Sequence, residues 1–280
     1  MAIVVSEALP VHFWPIGEPT FNESINAFID TRPFYQEWLT SDTIKLQISN
    51  ETNNDNAYGL RIVDCDGVQI GYLDFTKTIV SGKYCFDVEF TWSSLSLPDQ
   101  YARFYISLNP GTLDDETLDS ETLDTLGSGT DIYKSDYHLF SSDIPLTQSY
   151  GTKLAYYKSD TNFAGIKYPN NGHYFAFRLP CRFYKTRGVK VTTHLDLSQS
   201  NIVTTSIIRT KQQLLKIILL PHYILDKIED ILDHCPKGSV IIDGIEWQDY
   251  ESFDRADVDE RCAFDMASTW LSKGVIRNII

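Results

Sequence analysis

Apolar and polar positions alternate with period 2 along most of this chain, the spacing of strands with one packed face. In Lys83–Trp92, one face holds Tyr84, Phe86, Val88, Phe90 and Trp92, and the other Cys85, Asp87, Glu89 and Thr91. Thr43–Ser49 repeats the pattern with Ile44, Leu46 and Ile48. Leu60–Val63 and Val68–Phe75 flank Asp64-Cys-Asp-Gly67, whose Asp-Gly pair supplies the positive φ angles of a tight hairpin. Ser81-Gly82 marks the next turn. Tyr101–Leu108 closes the run, because Pro110 has no amide to donate to a ladder. Residues 43–108 are therefore predicted to form an antiparallel meander or sandwich. Further strands are expected at Lys153–Lys158, His173–Leu179, Arg182–Lys185, Gly188–His194, Ile202–Arg209 and Cys262–Trp270.

One segment departs from this period. Pro221–His234 puts Ile224, Leu225, Ile228, Ile231 and Leu232 on one helical face. Pro221 suits a first turn, where no amide donor is needed, and Cys235-Pro-Lys-Gly238 ends the segment. Val240–Trp247 then reads as a second Asp-Gly hairpin around Asp243 and Gly244. The fold class expected is mainly β, with two antiparallel β-sandwich-like domains. Residues 1–145 form the first and carry an acidic loop at 111–130. Residues 146–280 form the second, with one amphipathic α-helix at 221–234.

Composition narrows the function. The chain has 280 residues, 42% of them hydrophobic, so it is long enough to bury a core without staples. It carries 38 acids against 24 bases, a net charge of -14, which disfavours non-specific nucleic-acid binding. The densest basic run, Arg178–Lys190, spreads over both faces at strand spacing. The five cysteines form no Cys-x-x-Cys and are odd in number, so reduced, mostly buried thiols are expected. The first ten residues lack a basic leader, with Glu7 where an apolar core should continue. No run reaches 18 apolar residues, so no membrane partner is expected.

Catalytic constellations are hard to find. The six histidines are dispersed, no His-Glu-x-x-His or Gly-x-Ser-x-Gly occurs, and Gly127-Ser-Gly129 lacks the third glycine of a phosphate loop. His194 with Asp196, His222 with Asp226 and Asp230 with His234 are pairs, below the ligand count of a zinc site. Asp87, Glu89 and Glu246 are glycosidase candidates only in the sense that many acids guarantee neighbours. No catalytic residue, cofactor or metal is therefore assigned. Thr-Leu-Asp recurs at Thr112, Thr117 and Thr122 within a segment holding six acids and no base. Its period of five fits neither helix nor strand, and it fails the alternation of a calcium loop. It reads as an acidic excursion, with a partner-facing loop and a calcium site as the alternatives.

Phe34-Tyr-Gln-Glu-Trp-Leu-Thr-Ser-Asp-Thr-Ile-Lys-Leu-Gln-Ile48 resembles an opening found in tail and baseplate-type virion proteins of tailed bacteriophages. There an aromatic-Gln-x-Trp turn leads into a Ser/Thr-Asp-Thr strand. The stretch from Leu214-Leu-Lys-Ile through the Pro-headed helix to Val240-Ile-Ile-Asp-Gly-Ile-Glu246 is similar to the close of such proteins. Crass-like phages and related contractile injection systems are the first groups to compare. The resemblance implies a tail, collar or baseplate subunit, assembled in the host cytoplasm and localised to the virion. Its partners are other virion structural proteins, in a homo-oligomeric ring or a hetero-assembly, with no nucleic acid. The expected interface is the acidic strip Asp226, Glu229, Asp230 and Asp233, interrupted by Lys227, together with a pairing edge at Asp243 and Gly244. A carbohydrate-binding β-sandwich module recognising host-surface glycans, with Trp38, Trp92, Trp247 and Trp270 as candidate platforms, and a glycan hydrolase are the alternative readings.

Overall fold

The computed structural model describes residues 3–24, 33–50, 56–109, 130–143, 152–156, 175–179, 181–198, 201–221, 223–228, 240–242, 245–256, 263–272 and 275–277. The molecule is mainly β and overwhelmingly antiparallel. The strands of the first 143 residues are β1 (Ile3–Val5), β2 (Trp14–Pro15), β3 (Gln36–Leu39), β4 (Thr43–Asn50), β5 (Ala57–Asp64), β6 (Gln69–Asp74), β7 (Thr76–Val80), β8 (Lys83–Thr91), β9 (Gln100–Asn109) and β10 (Thr130–Ser141). A short turn of helix, α1 (Phe21–Ser24), follows β2.

These strands make two facing sheets. One has the order β1-β4-β8-β7; the other has β2-β10-β9-β5-β6, with β3 parallel beside β10. Residues 43–108 are thus a sandwich, not a meander. β6 ends in one sheet and β7 begins in the other, and only buried Phe75 lies between them. The alternation read from sequence sets the interior. Ile44, Leu46, Ile48, Phe86, Val88 and Phe90 from one sheet meet Leu60, Ile62, Phe104 and Ile106 from the other. Trp92 stacks on Phe140 across the gap, with ring centroids 3.9 Å apart. Burying one such aromatic is worth roughly 2–3 kcal/mol. Trp38 and Trp92 are both core residues, unlike the exposed platforms that glycan stacking needs.

The remaining strands are β11 (Thr152–Tyr156), β12 (Phe175–Leu179), β13 (Cys181–Ser198), β14 (Asn201–Pro221), β15 (Val240–Ile242), β16 (Ile245–Ala256), β17 (Ala263–Ser272) and β18 (Val275–Arg277). They form a third sheet of order β12-β11-β15-β16-β17-β14-β13, with β18 on β14. The gap expected between Lys185 and Gly188 is a register shift between Tyr184 and Arg187 inside one continuous strand. Pro221 differs from expectation. It ends β14 opposite Ala263, and the helix α2 covers 223–228 within the described residues. Ile224, Leu225 and Ile228 are buried as the 3.6 period requires, in the same apolar cluster as Phe175, Phe177, Leu46 and Phe104.

Candidate functional site

The expected interface splits on inspection. Asp226 is exposed on α2. Glu229, Asp230, Asp233, Asp243 and Gly244 lie outside the described residues. Lys227 is not part of an exposed strip: it is buried, and its ammonium donates to the Pro10 carbonyl at 3.3 Å. The reason is packing from both sides of α2, since the N-terminal segment covers the flank that a free helix would leave to solvent. Burial pulls the Lys227 amine down to about 7, with Glu7 opposing the shift. β15 and β16 pair antiparallel up to Ile242–Ile245. β15 also pairs β11, so this strand is internal to the sheet and presents no free edge.

Around α2 lies a set of buried polar groups. Tyr223 packs against His12, Trp14 and Phe21, with centroid distances of 4.8, 5.1 and 5.8 Å. His138 points into the interior, and its Nδ1 accepts from the Trp38 indole N–H at 3.2 Å. That bond puts the ring proton on Nε2 of the neutral imidazole. Burial, reinforced by the charges of Lys227 and Arg103, holds His138 down at about 3. His12 sits at about 3 for the same reasons, burial first and Lys227 second. Asp136 is pushed up by burial, although it accepts from the Asn22 amide at 3.3 Å. These bonds and ring contacts tie α2 and β10 to the N-terminal segment and to β3.

The outer face of the six-stranded sheet has a different character. Odd positions of β9 place Tyr101, Arg103, Tyr105 and Ser107 on the face opposite the core residues Ala102, Phe104 and Ile106; of these Tyr101 is exposed and Tyr105 half-buried, while Arg103 and Ser107 are covered by neighbouring side chains. Arg61 stacks on Tyr105 at 4.4 Å and pairs with Asp131, which also accepts from Ser107 at 2.6 Å. Arg103 stacks on Tyr137 at 4.3 Å and donates to Glu23 at 2.9 Å, and Lys134 reaches the other Glu23 oxygen at 2.6 Å. Burial raises the Glu23 carboxyl, but the bonds from Lys134, the Thr20 amide and Arg103 outweigh it and hold the group at about 2. Tyr35 and Tyr101 are exposed and meet edge to face at 5.2 Å. Every cation named here has its carboxylate, so the face presents tyrosine rings with little net charge. The sequence signal was the Tyr-x-Arg-x-Tyr spacing of 101–105, visible once the even positions are read as core.

The sequence candidates for chemistry are tied into sheet contacts. Glu89 pairs with Lys45 at 2.7 Å. Asp87 accepts from Gln47 at 2.8 Å and from Thr78 at 3.0 Å. Arg178, the head of the basic run, is buried and bidentate on Asp42, with one bond of 2.8 Å. Cys85 is buried as expected, whereas Cys65 in the β5–β6 turn is exposed, because a two-stranded turn has no layer above it. Among the described residues no three His, Cys, Asp or Glu side chains gather as a metal site. Among the same residues no helix is long and apolar enough to cross a membrane.

β13 and β14 supply the remaining feature. They pair from Cys181–Ile217 out to Ser198–Asn201. β17 supports β14 only from Gln212 to Pro221, and β18 only from Ile207 to Arg209. From Thr193–Ser206 to the tip the described backbone is a ribbon of two strands, reaching about 20 Å past its last neighbour. Compared with known proteins, the chain matches no family model, no curated protein and no solved structure.

Proposed function

We propose that this protein is a structural subunit of a bacteriophage virion tail, collar or baseplate, working by protein–protein assembly without catalysis. The observation that carries the assembly reading is the β13–β14 ribbon. A two-stranded ribbon is marginal in water by itself and gains stability when a neighbour covers it. Here five to six residues per strand extend beyond any third strand among the described residues. The exposed Tyr35 and Tyr101 on the six-stranded sheet support the same reading, since tyrosine is among the residue types that dominate binding energy at protein interfaces. The virion setting rests on the resemblance of Phe34–Ile48 and of the segment after Leu214 to tail and baseplate proteins. The partners are then other virion structural proteins, in a homo-oligomeric ring or a hetero-assembly.

The test is co-expression with the products of the neighbouring genes, followed by purification and mass measurement of the complex. The full chain should enter a complex of defined stoichiometry. A variant in which 193–206 is replaced by a two-residue Asn-Gly turn should stay folded yet be left out. Incorporation of the shortened variant at the wild-type level would overturn the role of the ribbon. A second reading, a glycan-binding module, is favoured by the exposed Tyr35–Tyr101 pair, because adjacent tyrosine rings can stack on sugar faces. Binding on a glycan array that disappears in Tyr35→Ala/Tyr101→Ala would select it.

A further inference from the structure

The outer face of the six-stranded sheet repeats one arrangement. Arg61 lies 4.4 Å over the Tyr105 ring and is bound by the Asp131 carboxylate. Arg103 lies 4.3 Å over the Tyr137 ring and is bound by the Glu23 carboxylate at 2.9 Å. Both distances are well inside the ~6 Å reach of a cation over an aromatic ring. Each set is a guanidinium with a tyrosine ring on its plane and a carboxylate at its edge, since a planar cation stacks and forks onto oxygens at once. A third set stands beside them and lacks the guanidinium. Leu139 of β10 is the register partner of Glu37 in β3 and of Tyr101 in β9, so the three form one row across the sheet. Buried Gln36 and Trp38 flank Glu37 in sequence, which puts Tyr35 and Glu37 together on the outer face. Neighbouring strands lie about 4.8 Å apart and alternate residues about 7 Å apart, so one long side chain can touch all three groups. Tyr35 and Tyr101 meet across β10 with ring centroids 5.2 Å apart, and they are 36% and 40% exposed. Glu37 is half-buried, and among the described residues no cation or hydrogen-bond donor holds its carboxylate. Burial raises this carboxyl, and nothing opposes the shift.

We propose that Tyr35, Glu37 and Tyr101 form a docking site for an arginine side chain supplied by another protein subunit. The inference rests on the assembly reading above and names the chemistry by which a partner is recognised. The two complete sets show what this arrangement accepts: in both, an arginine bridges a tyrosine ring and a carboxylate. Charge complementarity points the same way. A half-buried carboxylate without a cation costs the free chain stability, and an arriving guanidinium offsets that cost by pairing with it and stacking on an exposed ring. A lysine supplies the charge without the plane, so it fits less well. A neutral sugar stacks on one ring, but the two rings stand at 66° and offer no common platform. It also leaves the charge of Glu37 uncompensated. A nucleic acid would bring phosphate towards a carboxylate on a chain of net charge -14. A contact of this size sets register and partner choice more than affinity.

The experiment is an NMR titration of the full chain, labelled on its tyrosine rings, with the peptide acetyl-Gly-Arg-Gly-amide at about 150 mM salt. Tyr35→Phe and Tyr101→Phe assign the two ring signals. Both signals should shift and saturate with the peptide. Glu37→Gln should weaken binding at least about fivefold, and a lysine in place of the peptide's arginine at least about twofold. Glu37→Gln should also melt no lower than wild type, because it removes a carboxylate that the free chain does not pair. A melting point several degrees lower would reveal a partner within the chain and overturn the proposal. Equal binding by Glu37→Gln overturns it too, as does a peptide that shifts neither ring. Shifts of the same rings with the neutral sugar maltotriose, and none with the peptide, would assign the site to glycan instead. Co-expression with the neighbouring gene products separates this inference from the assembly reading. Glu37→Arg should be left out of the complex that wild type enters. If both enter equally, arginine docking falls and the assembly reading stands. If no form enters a complex, the assembly reading falls, and with it a subunit as the source of the arginine.

Discussion

His138 and Lys227 show how burial alone sets the behaviour of a side chain. The native imidazole stays neutral down to about 3, whereas the unfolded chain protonates at an ordinary 6.5. Stability is therefore complete above 6.5 and is lost as pH falls towards 3. Between pH 7 and pH 5 this one group should remove about 2 kcal/mol. His138→Gln keeps an acceptor for the Trp38 indole and should flatten that part of the urea-midpoint profile, leaving the parallel contribution of His12. An unchanged profile would show that the imidazole already reaches solvent. Lys227 is a base depressed from 10.5 to about 7, so its cost to the fold grows as pH falls from 10.5 to 7 and is then constant. Lys227→Met retains the bulk and loses one bond to Pro10. It should stabilise the protein by about 1–3 kcal/mol at pH 7, and by less at pH 9. A loss of stability at pH 7 would mean that the ammonium bond matters more than its desolvation.

At the scale of elements, β10 teaches most. Its sequence, Thr130–Ser141, was not legible as a strand because two register shifts break the alternation, at Asp131–Tyr133 and Lys134–Tyr137. At the second, the Phe104 amide donates to the Ser135 hydroxyl at 3.0 Å in place of a ladder carbonyl. The bulge thereby turns Tyr137 outward to Arg103 and keeps His138 inward. The acidic repeat lies between β9 and β10, whose ends Leu108 and Thr130 are register partners. Its ends therefore meet without help from the loop. Replacing Thr112–Leu126 with a short Gly-Ser linker should leave the melting temperature within a few degrees, since shortening a loop this much changes closure entropy by only about 1 kcal/mol. Loss of soluble protein in a thermal-shift series would show that Leu113, Leu118 and Leu123 are needed for the core.

At the scale of the whole molecule, the third sheet and the sandwich share contacts that no local pattern announces. β12 runs against β3 and β4, and Arg178 of β12 is held by Asp42, which also accepts from the Leu39 amide at 2.9 Å. Both side chains are buried. Removing one partner strands the other charge, so Arg178→Ala should cost roughly 3–5 kcal/mol in urea unfolding. The double variant Asp42→Asn/Arg178→Met should recover part of that. Equal losses in the single and double variants would show that the two side chains do not act as a pair.

The sequence alone determined the strand content, the inward faces of β4, β8 and β9, the apolar stripe of α2 and the antiparallel pairing of β15 with β16. Each of these follows from a period or a dipeptide within ten residues. Tertiary structure alone decided which strands share a sheet, that Lys227 is enclosed and that Arg178 is paired rather than displayed. It also decided that β13 and β14 run on past their neighbours. These depend on what arrives from eighty or more residues away: Pro10 over Lys227, Asp42 under Arg178, Glu23 between Arg103 and Lys134. A charged residue's local pattern states that it is polar. Whether water or a carboxylate surrounds it is fixed only when distant segments close over it.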